Sequence, residues 1–169
     1  MLNALTENII TGCTAAINRP ALELLQRAHV PDGVRFHDWW LYLVVSALGT
    51  VVYDDHPTLL YRQHGANVIG HGAGPIGRQL GMLRFLLRND WVGILLAQLS
   101  AFLAHYGDLL PPAARQCVAA YFRIANGRAR PRWRLVCSVR RWRQRAAHEV
   151  PFRLLLAAYM LGIWPVACR

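Results

Sequence analysis

A change of pattern near position 75 sets the range of folds open to this chain. Before it, strand and helix signals alternate; after it, only helix signals remain. Ile9 to Ile17 is rich in β-branched residues and reads as a strand. It contains Gly12, and a glycine inside a strand often marks close approach by a ligand or another backbone. Pro20 suits a first helical turn and opens a short helix, Ala21 to Arg27. Val30-Pro31-Asp32-Gly33 is a turn. A second helix is expected from Asp38 to Leu48, with Asp38 able to cap its start and Gly49 to close its end. Val51 to Tyr53 reads as a short buried strand, Asp54-Asp55-His56-Pro57 as a turn, and Thr58 to Tyr61 as another short strand. His71-Gly72-Ala73-Gly74-Pro75 reads as a linker. Beyond it, Gly77–Arg88, Trp91–His105, Pro112–Ala125, Arg134–Ala147 and Phe152–Leu161 all read as helices.

The expected fold class is therefore α/β over residues 1–75, followed by an all-α, arginine-rich extension over residues 76–169. Three short strands cannot make a doubly wound sheet alone, because such a sheet needs several strands covered on both faces. The first segment is expected to belong to a sheet whose other strands come from elsewhere, leaving a strand edge unpartnered. The 169 residues are 54% hydrophobic and 17% charged, a composition that excludes a disordered chain and allows one core. Polar Asn3, Thr6, Glu7 and Asn8 exclude a signal peptide at the start of the sequence. The apolar runs Trp91–Ala104 and Leu154–Cys168 fall short of a bilayer crossing and read as buried or membrane-surface helices.

The charge is one-sided. The formal net charge is +10, and every one of the 19 basic residues other than histidine is arginine. Arginine forks bind phosphate and diphosphate oxygens in pairs. Arg128, Arg130, Arg132, Arg134, Arg140, Arg141, Arg143 and Arg145 crowd one stretch with Trp133 and Trp142. On a helix, Leu135, Val139, Trp142 and Ala146 share a face and most arginines lie on the others. That pattern suits a helix lying on an anionic membrane surface, and equally an ordinary helix with a solvated arginine face. No nucleic-acid motif accompanies the charge, which argues against a nucleic-acid partner. Cys13, Cys117, Cys137 and Cys168 form no zinc spacing and read as reduced thiols of a cytoplasmic protein.

Three clusters carry chemistry. In His37-Asp38-Trp39-Trp40 a carboxylate stands at the mouth of an apolar helix beside two indoles. A partly desolvated carboxylate there can take a proton from a hydroxyl, although spacing alone favours a helix cap. Arg62 and His64 alternate at a strand end and so point the same way. Such a pair can grip a diphosphate, or hold a metal through the histidine; taken singly, each also suits a structural role. The third cluster is Thr11-Gly12-Cys13-Thr14 with Asn18-Arg19. The Asp54-Asp55-His56 run reads as turn chemistry rather than as metal ligands.

In order and spacing, Asn8-x-x-Thr11-Gly12-Cys13-Thr14, Asn18-Arg19, His37-Asp38-Trp39-Trp40 and Tyr61-Arg62-Gln63-His64-x-x-Asn67-x-x-Gly70 together resemble the second half of bacterial family 2 glycosyltransferases. The rhamnosyltransferase-like branch, which builds O-antigens and other surface polysaccharides, is the nearest in pattern. The resemblance covers about Glu7 to Gly70. It implies a GT-A fold and inverting transfer from a nucleotide sugar, dTDP-rhamnose among the donors, to a saccharide or lipid-linked saccharide. It makes Asp38 the general base, and puts Arg62 and His64 at a diphosphate held by Mg²⁺ or Mn²⁺. Thr11, Gly12, Cys13, His37, Trp39, Trp40 and Asn67 would line or shape the substrate pocket. The family's Asp-x-Asp metal motif is missing from this sequence. The expectation is thus a truncated or split enzyme, inactive alone, cytoplasmic or peripheral on the inner membrane face. The alternative from another class is a non-catalytic basic module that docks on a membrane or a partner chain.

Overall fold

The computed structural model of the chain describes residues 3–27, 34–60, 62, 90–125, 143–144 and 146–163. Five α-helices run through them: α1 (Arg19–Gln26), α2 (His37–Leu48), α3 (Trp91–Tyr106), α4 (Pro112–Ala125) and α5 (Ala146–Met160). Short 3-10 turns lie at Asn3–Leu5, Gly12–Thr14 and Gly107–Leu109.

The helices form where local chemistry stops and starts them. Asn18 caps α1, its Oδ1 accepting the Ala21 N–H at 3.1 Å, with Pro20 in the first turn. Asp90 caps α3 in the same way, accepting the Gly93 N–H at 2.9 Å. Position 93 is glycine for a steric reason: a Cβ there would collide with the Asp90 carboxylate and expel the cap. The corner between α3 and α4 is stapled by Arg115, which donates to the Gly107 carbonyl at 2.7 Å and pairs with Asp108.

One core serves residues from both sides of position 75. α3 buries Val92, Leu95, Leu96, Leu99, Phe102 and Tyr106, a stripe at helical spacing that faces inward. α2 buries Trp39, Trp40, Tyr42, Leu43 and Val44. The Trp39 ring stacks on Trp91 at 5.0 Å between centroids, and Trp40 meets Phe102 edge-on at 6.3 Å. Such ring pairs add about 0.5–1.5 kcal/mol each beyond the area they bury. α5 adds Phe152, Leu155 and Leu156. Continued by its 3-10 turn to Leu109, α3 makes a 19-residue stretch that by length and composition could cross a membrane. It is longer than the apolar run visible in the sequence, and its inward face is spent on this core.

The α/β expectation is overturned. Among the described residues there is no strand and no sheet, and the fold is mostly helical rather than half of an α/β sugar transferase. β-branched residues favour a strand only where a neighbouring strand and a half-buried pleat receive them. Among the described residues none is offered. In the expected strand Ile9–Ile17, the Thr14 hydroxyl and N–H both bond the Thr11 carbonyl, at 2.8 and 2.9 Å, and close a 3-10 turn instead. Val51–Tyr53, expected to be buried, is open: Val52 is 85% exposed and Tyr53 87%. Thr58–Leu60 forms no ladder either, and Tyr61 lies outside the described residues. The expected helix Gly77–Arg88 and most of Arg134–Ala147 also lie outside them.

Candidate functional site

The site is built on the first turn of α2. Its N-cap is Phe36, whose side chain makes no capping bond, so Asp38 is the second helical residue and not the cap. Asp38 Oδ1 instead accepts the N–H of Trp39 at 2.8 Å. That bond fixes the carboxylate's orientation while the side chain stays half-buried. A negative group in this position also lies at the favourable end of the helix dipole.

The Thr11–Thr14 turn closes on this corner from 25 residues away in sequence. A Cβ built on Gly12 would lie 2.9 Å from His37 Nε2 and 3.5 Å from Asp38 Cβ. Glycine is thus the residue that lets this turn reach the imidazole. The expectation for Gly12 is a ligand or another backbone met from within a strand; it lies instead in a 3-10 turn, and what stands against it is the His37 side chain. Thr11, Cys13 and His37 are exposed, Gly12 and Asp38 half-buried. Cys13 is a free thiol.

Trp39 and Trp40 lie beneath the corner, 0% and 1% exposed. Their faces are covered by Trp91, Phe102 and Tyr106, so they support the corner from within the core. The Trp39 indole donates to the Ala4 carbonyl at 2.8 Å, which ties the N-terminal segment to α2. Arg62 is exposed; His64 and Asn67 lie outside the described residues. The structure therefore brings two of the three clusters together.

The divalent cation implied by the resemblance has no donor set beside Asp38 among the described residues. Asp54, Asp55 and His56 do stand within metal-ligand distance of one another, all exposed. They are bonded to one another: His56 N–H bonds Asp54 Oδ1 at 3.0 Å, and its Nδ1 lies 3.2 and 3.4 Å from the two carboxylates. This is the side-chain turn expected of the run.

Two further features lie outside the expected site residues. Along the same side of α2, an open depression of about 370 Å³ is lined by Ile9, Tyr42, Ser46, Gly49, Thr50, Val51 and Tyr53. Burial raises the Tyr42 pKa above its ordinary value, a hydrogen bond with Asn3 offsets part of this, and the charge of Glu7 adds to it. Its helical spacing to Ser46 was the available signal. The second feature is Arg143. Its Nη2 donates to the Thr6 carbonyl at 2.7 Å, its backbone N–H donates to Glu149 Oε2 at 2.8 Å, and its guanidinium lies 5.3 Å from the Phe152 ring centre. Burial lowers its pKa, with Glu7 and Glu149 opposing. Beside it, the Gln144 N–H donates to Glu7 Oε2 at 3.0 Å. This arginine of the basic tail is turned inward, against the segment that carries Gly12. Compared with protein-family models, with curated proteins and with solved structures, the chain finds no match.

Proposed function

We propose that this chain supplies the acceptor side of an inverting sugar transferase, with Asp38 as general base. The observation that carries the reading is the meeting of the Gly12 turn with the His37–Asp38 corner. Two motifs singled out for their chemistry, and far apart in sequence, share one half-open surface. Asp38 Oδ1 is held by the Trp39 N–H, and Oδ2 is left for an incoming hydroxyl. In the reaction, the acceptor oxygen forms a bond to the anomeric carbon and its proton passes to Asp38. The bond from that carbon to the leaving diphosphate breaks on the opposite face, and the electron pair leaves with the diphosphate oxygen. The likeness to family 2 glycosyltransferases supports this reading through Thr11-Gly12-Cys13, His37-Asp38 and Arg62. A nucleotide sugar is the donor class, and a saccharide or lipid-linked saccharide the acceptor class.

The test is transfer of a labelled sugar by this chain, alone and mixed with a nucleotide-binding polypeptide bearing Asp-x-Asp. Asp38→Asn keeps the oxygen that accepts the Trp39 N–H and removes the base. Transfer is expected to fall by about 10² or more, in line with the usual contribution of a general base. Undiminished transfer by a folded Asp38→Asn protein would overturn the assignment.

A second reading, a basic docking module without catalysis, is favoured by the net charge of +10 together with the exposed Val52, Tyr53 and Leu60. Salt-sensitive binding to a partner or to anionic vesicles, with no response to nucleotide sugars or saccharides, is its signature.

A further inference from the structure

The open depression of about 370 Å³ beside α2 has walls from the same two segments that meet where Gly12 reaches His37. On the helix side stand Tyr42 and Ser46. They follow Asp38 at intervals of four residues, so all three share one side of α2, at about 6 Å per interval. On the other side stands Ile9, three residues before Gly12. Thr50, Val51 and Tyr53 complete the lining beyond the end of the helix. The chain carries a net charge of +10, yet among the described residues no arginine, histidine or carboxylate lines this space. What lines it is neutral: the hydroxyl-bearing Tyr42, Ser46 and Thr50, apolar surface from Ile9 and Val51, and the 87% exposed ring of Tyr53. Ser46 Oγ donates to the Leu43 carbonyl at 3.2 Å, so its lone pairs are left to accept from a ligand. The volume falls at the low end of ligand clefts, about 300–1,000 Å³, and suits one small ring system.

We propose that this depression holds a non-reacting sugar of a neutral oligosaccharide, next to the unit whose hydroxyl meets Asp38. The inference rests on the transferase reading for the acceptor's chemistry, and adds where the rest of the acceptor lies and that it is uncharged. Three considerations choose the occupant. A phosphate or an anionic headgroup needs cationic donors, and the lining supplies none. A hydrocarbon chain would leave the Ser46 and Thr50 hydroxyls against apolar surface without a partner, which is unfavourable. A sugar ring meets both conditions: its hydroxyls exchange hydrogen bonds with Ser46 and Thr50, and its C–H face lies on the Tyr53 ring and the apolar wall. The spacing also fits. The depression begins one helical turn from Asp38, so a sugar within it can remain linked to the unit at the carboxylate. Binding of that remote unit then holds the reacting hydroxyl in place.

The test titrates the full chain with neutral trisaccharides of rhamnose, glucose and N-acetylglucosamine, and with trigalacturonate and inorganic phosphate as anionic counterparts. The amide NMR signals of Gly49, Thr50, Val51 and Tyr53 are followed. At least one neutral trisaccharide is expected to shift them saturably, and the two anions to leave them in place. Tyr53→Ala, at an exposed position, should weaken that binding by about tenfold through loss of the ring face. Thr50→Val keeps the shape, removes one neutral hydrogen bond and should weaken binding by about threefold. Val52→Ala alters an exposed neighbour outside the lining and should change nothing. The proposal is overturned if no neutral trisaccharide shifts these signals, if the anions shift them equally, or if Tyr53→Ala binds as tightly as the parent chain. Asp38→Asn should leave the binding intact. In the transfer assay, Tyr53→Ala should raise the acceptor KM and spare kcat, whereas Asp38→Asn lowers kcat. Transfer that depends on Asp38 with an acceptor KM indifferent to Tyr53 strikes this subsite alone. Saccharide binding that depends on Tyr53, with transfer indifferent to Asp38, strikes the assignment of the base alone.

Discussion

Trp39 and Trp40 are neighbours in sequence and equally buried, yet their indole N–H groups have opposite fates. The first donates to the Ala4 carbonyl; the second is buried with no protein partner. Trp39→Phe therefore removes a made bond and leaves the Ala4 carbonyl short of a donor, a loss of about 1–3 kcal/mol on top of the smaller ring. Trp40→Phe removes a donor that already lacks a partner, so its volume loss is partly offset and its destabilisation is the smaller of the two. Urea denaturation of the two variants measures the order directly. Gln98, buried on α3, has neither amide atom bonded within the protein. Gln98→Met keeps the shape and removes the unpaired polar atoms, and should raise stability by about 1–3 kcal/mol in the same assay. Gly12→Ala presses on the far end of a side chain that can turn away. Its expected effect is a small change in stability, under about 0.5 kcal/mol, with a clear shift of the His37 imidazole signals in NMR.

The α3 cap links two residues into one device. Asp90→Ala should cost about 1 kcal/mol, the usual value of a lost N-cap. Gly93→Ala should cost a similar amount despite alanine's better helix propensity, because its Cβ evicts the same carboxylate; thermal unfolding of the two variants checks this. Much of this element layer was legible in the sequence. Pro112–Ala125 begins and ends where the pattern put it, Trp91–His105 extends by one residue, and Gly49 closes α2 by donating to the Val45 carbonyl at 2.9 Å. These elements are set by local signals: a proline in the first turn, an apolar stripe at helical spacing, a glycine at the end. The strands were not legible, because a ladder is a property of two segments and sequence shows only one. Val51–Tyr53 and Thr58–Leu60 have strand composition, yet among the described residues nothing offers them a partner. The role of Asp38 misled for a related reason. Cap preference does not say which residue begins the helix, and Phe36 takes the cap position with no side-chain bond. The approach of Gly12 to His37 was signalled only as a glycine out of place.

At the scale of the molecule, the buried phenols of Tyr42 and Tyr106 set an alkaline limit. Burial raises the pKa of Tyr42 and of Tyr106 above the ordinary 10.0, with Asn3 opposing at the first and Arg27 at the second. The unfolded chain thus releases these protons first as pH rises. The contribution is whole below pH 10 and fades as pH climbs through the raised values. Melting temperature followed from neutral pH to beyond that point should fall, and Tyr42→Phe and Tyr106→Phe should each flatten the fall. Arg143 operates at the same scale, since it spans 137 positions to reach the Thr6 carbonyl. Replacing it with alanine keeps the backbone bond to Glu149 but leaves that carbonyl short of a donor, a loss of about 1–3 kcal/mol, and limited proteolysis should then open the N-terminal segment first. That long reach also fixes an order of events during synthesis. A ribosome delivers Thr6 early and Arg143 only 137 positions later, so this tie can close only after the whole stretch between them has left the exit tunnel.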